Sequence, residues 1–180
     1  MKRVFLAVAA LAFAGVAQAQ GAMSSSSGSG VALSLGAGGT FLTGNGASGL
    51  NTGWNAMGAV GFDVAMIPFG LRVDALYNSF GVKGTGGGTV HSFGGNLNAM
   101  FAFPMEGSGF SPYVTGGVGF ANLGGGGGTS TTKFAYNVGG GVKVGLAGFD
   151  VFAEARFNSV LTDNQSFNMI PITVGVTFRP

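Results

Sequence analysis

The feature that most constrains the fold is a strict two-residue period, clearest in "GFDVFAEARFNSV" at residues 148–160. Asp150, Phe152, Glu154, Arg156 and Asn158 hold the even positions, and Phe149, Val151, Ala153, Ala155 and Phe157 the odd ones. Successive side chains of a β-strand point to opposite faces, so this segment is a strand with one polar and one apolar face. One such strand does not say which face is inside.

Eight segments of this kind follow one another, near 31–43, 54–66, 70–81, 91–103, 110–123, 133–146, 148–160 and 168–179. Between them, "GNGASGLNTG", "VKGTGGGTV", "GGGGGTSTT" and "LTDNQSF" are long or rich in glycine, whereas "IPF", "PMEGSG" and the residues around Ala147 are short. Long loops alternating with tight turns describe an up-and-down antiparallel meander.

The two faces of the eight segments differ sharply. The apolar face runs through Leu33, Leu35, Phe41, Trp54, Val60, Phe62, Val64, Leu71, Val73, Tyr77, Phe93, Leu97, Phe101 and Phe103. It continues through Val114, Val118, Phe120, Phe134, Tyr136, Val138, Val151, Phe157, Ile170, Ile172, Val174, Val176 and Phe178, with no Asp, Glu, Lys or Arg. The opposite face holds Asp63, Arg72, Asp74, Lys143, Asp150, Glu154, Arg156 and Arg179, among Asn55, Asn96, Asn98, Thr115, Asn137, Thr173 and many glycines.

A soluble barrel would put the charged face in water, and a membrane barrel would put it in the lumen. Only 8% of residues are charged, and glycine, asparagine and threonine dominate the polar face, which is a poor solvated surface. Glycines at 36, 38, 94, 117, 119, 139, 141 and 175 suit a narrow interior and strongly coiled strands. Aromatics at Trp54, Phe93, Phe103, Tyr136 and Phe178 fall near strand ends, where membrane girdles lie. Phe93 to Phe103 spans about 34 Å of strand, or roughly 26 Å of height at a tilt near 40°, which matches an apolar band about 25 Å tall.

The N-terminus, "MKRVFLAVAALAFAGVAQAQ", places Lys2 and Arg3 before an apolar run from Val4 to Ala17 and then small residues. That is the anatomy of a helical secretory signal peptide, cleaved after Ala19 or Gln20, and the apolar run is short for a spanning anchor. Residues 21–30, "GAMSSSSGSG", make a flexible leader before a single barrel over 31–180. The formal charge of +2 is Lys2 plus Arg3, so the remainder is balanced and a nucleic-acid partner is excluded. Without cysteine there is neither a disulfide framework nor a thiolate metal site, and no motif implies a cofactor.

The signal, the eight strands, "SPYVTGGVGF" at 111–120, "FAEARF" at 152–157 and "PITVGVTFRP" at 171–180 resemble the small outer-membrane β-barrel family, the eight-stranded OmpA-like and OmpX-like type. The resemblance implies an all-β, antiparallel, transmembrane barrel in the outer membrane, delivered by periplasmic chaperones and the barrel-assembly machinery. It also implies an assembly signal in the last strand, here Val174, Val176 and Phe178, although Arg179 and Pro180 follow where the family places its aromatic last.

A lumen of eight strands is wide enough only for side chains, and charges inside it must be paired. Hairpin register sets Asp63 opposite Arg72 and Lys143 opposite Asp150, with Glu154 close to Arg156, in a network that also holds Asp74. His91, the single histidine, is read as an interfacial aromatic, since the outer loops offer only Asp163 as an acid for catalysis. The glycine-rich loops lack the spacing of a phosphate-binding loop. The expectation is a non-enzymatic, monomeric barrel in outer-membrane lipid, with a plugged lumen and a structural or surface-interaction role. Its surface partner is unspecified, and a narrow passive channel for small solutes is the alternative.

Overall fold

The computed structural model describes residues 30–44, 49–63, 69–84, 87–103, 109–125, 130–162 and 166–179, so the expected signal peptide and nearly all of the leader lie outside the described residues. Eight strands are present: β1 (Val31–Thr43), β2 (Gly53–Phe62), β3 (Gly70–Gly81), β4 (Thr89–Ala102), β5 (Phe110–Gly125), β6 (Thr131–Leu146), β7 (Phe149–Leu161) and β8 (Ser166–Phe178). They close into an antiparallel barrel in sequence order, with β1 paired to β8.

The strand boundaries agree with the sequence expectation to within two residues, with one exception. β2 ends at Phe62 instead of 66. There the Asp63 amide donates to the Gly30 carbonyl, 3.0 Å away, so the chain follows the residue ahead of β1 at the point where its ladder with β3 ends in the pair Phe62 and Leu71. Val64 and most of the expected turns "IPF" and "PMEGSG" lie outside the described residues. The turn at 147–148 is tight because Gly148 takes a φ of 92°, a left-handed conformation open to glycine.

Register fixes the shape of the barrel. Leu33, Val60, Val73, Leu97, Val118, Tyr136, Ser159 and Asn168 pair in succession around the ring, and Asn168 then pairs with Thr43. The circuit returns to β1 displaced from residue 33 to 43, a shear of ten residues. Eight strands with that shear tilt by about 40° and enclose a cylinder with a Cα radius of about 8 Å. Each residue then climbs about 2.5 Å along the barrel axis.

Alternation decides what meets the outside. Leu35, Val73, Leu97, Val118, Val138 and Val174 are each about half exposed and point away from the axis. An apolar wall on this scale is a lipid-facing surface, since soluble monomers rarely expose large contiguous apolar patches. On the unrolled cylinder the wall is bounded by two aromatic rings about 22 Å apart. Phe41, Trp54, Tyr77, Phe93, Phe120, Phe134 and Tyr136 form one ring, and Phe62, Phe101, Phe103, Phe110, Phe149 and Phe178 form the other, at the end where β1 begins and β8 ends.

Candidate functional site in the barrel lumen

The lumen is built in levels, and the charged level is its centre. Arg72 and Asp74 come from β3, and Glu154 and Arg156 come from β7, so these four side chains meet from walls four strands apart, across the full diameter. Arg72 donates from Nη1 and Nη2 to Glu154 Oε2 and Oε1 at 2.7 and 3.0 Å, a two-pronged contact. Arg156 donates from Nη1 to Asp74 Oδ2 at 2.9 Å, and its Nε lies 2.8 Å from Glu154 Oε1. Arg72 Nε lies 3.3 Å from Asp74 Oδ2, closing a ring of two cations and two anions.

Neutral donors satisfy the remaining oxygens. Asn96 and Asn98 on β4 donate to Asp74 at 2.9 and 2.6 Å, and the Tyr113 hydroxyl on β5 donates to Glu154 Oε2 at 2.9 Å. Arg156 Nη2 donates to the Met57 sulfur at 3.0 Å. All four charged residues are at least 95% buried, so isolated charges here would be costly and paired, hydrogen-bonded ones are tolerable.

Above the charges lies a layer of uncharged polar groups. Thr173 Oγ1 donates to Asn55 Oδ1 at 2.9 Å, Asn55 Nδ2 donates to Thr40 Oγ1 at 3.1 Å, and Thr40 Oγ1 donates to Asn78 Oδ1 at 2.8 Å. Higher still, at the loop end, Phe80, Ala121, Ala135, Val160 and Met169 pack into an apolar cluster capped by Leu42, Leu50, Leu123 and Phe167. Phe80 and Phe167 meet edge to face, with ring centres 6.0 Å apart.

The network expected from adjacent hairpins differs from the observed one. Arg72 pairs across the ladder with Gly61, not Asp63, because the β2–β3 register, running from Trp54–Ser79 to Phe62–Leu71, is offset by two residues from the one an Asp63–Arg72 pair requires, and the Asp63 carboxylate stands exposed at the mouth. Lys143 pairs with Phe152, and Asp150 with Gly145, because the turn centres between Ala147 and Gly148, one residue beyond the centre that a Lys143–Asp150 pair requires. Asp150 instead forms an ion pair with Arg179, the residue after the last aromatic. Lys143 Nζ lies 5.3 Å from the centre of the Tyr113 ring. Glu154 and Arg156 do meet, as their spacing on one strand face requires.

Sequence reasoning missed the apolar cluster at the loop end, together with Met57, Leu76 and Phe152, which are buried among the polar groups. The signal was present: along β3 the lumen parity reads Arg72, Asp74, Leu76, Asn78, Phe80, turning apolar toward the loop end. Asp163 lies outside the described residues. His91 sits on the outer wall, stacked on Tyr77 with its Nδ1 2.6 Å from the Tyr77 hydroxyl, and Tyr77 in turn contacts Trp54.

The family model "Outer membrane protein beta-barrel domain" matches residues 6–178. The chain belongs to this family. The solved structure of Neisserial surface protein A has the same barrel, with a TM-score of 0.62 at 18% identity, over 87% of this chain and 100% of that one. A major outer membrane protein of Thermus thermophilus gives a TM-score of 0.59 at 12% identity, covering 84% of this chain and 99% of that one. Ail, the attachment invasion locus protein of Yersinia pestis, gives 0.51 at 13%, covering 86% and 100%. No curated protein matches the chain in sequence. This outer membrane β-barrel is therefore surrounded by outer-membrane lipid, and its apolar wall is the surface that lipid covers.

Proposed function

We propose that this outer membrane β-barrel is a closed, non-enzymatic scaffold that holds its loops at the cell surface in a structural or interaction role. The observation that carries this is the filling of the lumen by three successive levels. They are the ring of Arg72, Asp74, Glu154 and Arg156, the Asn55, Thr40 and Asn78 layer, and the apolar cluster around Phe80. An ion entering such a lumen would have to displace charge pairs and then pass the apolar cluster around Phe80.

In this proposal the monomeric chain is exported by a cleaved signal, residues 1–20, and is escorted by chaperones to the barrel-assembly machinery. Val174, Val176 and Phe178 present the assembly signal, while Trp54, Phe93, Phe103, Tyr136 and Phe178 hold the barrel at the lipid interfaces. Both termini face the periplasm. His91 acts as an interfacial aromatic, consistent with its seat on the outer wall against Tyr77.

Purified barrel in a planar bilayer tests the closed state. The expected result is no steady conductance in the wild type and none in Phe80→Ala, because the charged ring below remains intact. Steady single-channel current in the wild type that changes on neutralising Glu154 or Arg156 would establish the passive channel instead.

A further inference from the structure

The lumen ends in a chamber at the mouth where β1 begins and β8 ends. Lumen positions there are small, at Ala32, Gly61, Gly70, Ala102, Ser111 and Gly145, and they leave a space of about 660 Å³. That lies within the range of small-molecule sites, about 300–1,000 Å³. The chamber is open outward and blind inward, since Tyr113 on its lining hydrogen-bonds Glu154 of the charged ring.

Its charges are arranged as a dipole. Asp63 follows β2 and Lys143 lies on β6, four strands away in a ring of eight and therefore on the facing wall. Asp150 and Arg179, also in the lining, pair with each other and cancel. Among the described residues no ion pair joins Asp63 to Lys143, and Lys143 rests against the Tyr113 ring. A lining with two acids and two bases offers little net attraction to a simple cation or anion. A molecule carrying both charges gains at each end.

We propose that this chamber binds a small zwitterion of the amino-acid or short-peptide class, with its ammonium toward Asp63, its carboxylate toward Lys143 and its body over Tyr113 and Met100. The Cα walls stand about 16 Å apart and side chains occupy part of that span. An extended dipeptide, at about 3.3–3.6 Å per residue, fits what is left. The inference goes beyond the closed-scaffold proposal and does not depend on it.

The test uses the full chain refolded in detergent micelles, with Ala-Ala as the probe and propylamine and propionate as its singly charged halves. Amide resonances of Gly61, Ser111, Lys143 and Gly145 are expected to shift saturably with Ala-Ala, and at least about tenfold more weakly with either half. Asp63→Asn and Lys143→Met should each weaken Ala-Ala binding about tenfold while leaving heat-modifiable gel migration unchanged, which shows that the barrel still forms. Absence of a saturable shift at about 10 mM dipeptide, equal binding of propionate or propylamine, or unchanged binding in both correctly folded variants would overturn the proposal.

Discussion

Glu154 is heavily committed: it takes both prongs of Arg72, the Nε of Arg156 and the Tyr113 hydroxyl. Replacing it with Gln keeps the shape but leaves two buried guanidinium groups short of one counter-charge, and breaking a buried pair in this way costs about 3–5 kcal/mol. Urea unfolding of Glu154→Gln in lipid vesicles should show a loss of that size. Asp63→Asn, at an exposed position, should change stability by less than about 0.5 kcal/mol. Among individual residues, the shared polar face of Arg72, Asp74, Glu154 and Arg156 was legible in the sequence from alternation, and its place in the lumen from the sparse charge and many glycines of that face. Their partners were not. Sequence neighbours suggest contacts across a hairpin, and long side chains on β3 and β7 reach each other only because a cylinder of about 8 Å radius brings opposite walls within their combined length.

At the level of strands, the eight elements and their order were legible because the lipid-facing parity carries no charged residue in any of them. The end of β2 was not, since it depends on the Asp63 amide turning to Gly30, a contact with the residue that precedes β1. Glycines on the two faces make a strand-level test. A Cβ at Gly141, on the lumen side of β6, would sit 2.6 Å from the Tyr113 hydroxyl and against the Ala153 carbonyl oxygen, whereas one at Gly95, on the outer wall of β4, would meet nothing within 4 Å. Gly141→Ala is therefore expected to prevent refolding or to lower stability by about 1–3 kcal/mol, the range for overpacking. Gly95→Ala should fold with stability within about 0.5 kcal/mol of wild type. Tryptophan fluorescence of Trp54 during refolding into vesicles measures both.

For the whole molecule, closure leaves no free edge among the eight described strands, and every one of them pairs on both sides along a connected ring. The intact barrel should resist detergent at room temperature and migrate faster on a gel before boiling than after it. Glu154→Gln should convert at a lower temperature. The apolar cluster at Phe80 and the open chamber at the opposite end make the lumen asymmetric, a property that no single strand announces, because it arises from where each strand's lumen face turns from polar to apolar or small. The crossed charges have a further consequence for how errors are caught. A hairpin that slips by two residues keeps every side chain on its proper face, so the lipid boundary cannot detect it. β3 presents a base below an acid and β7, running the same way, an acid below a base. A two-residue slip between them in either direction would set Arg72 against Arg156 or Asp74 against Glu154. The ring thus acts as a checksum on barrel register, distinguishing the correct closure from misaligned ones that are equally greasy outside.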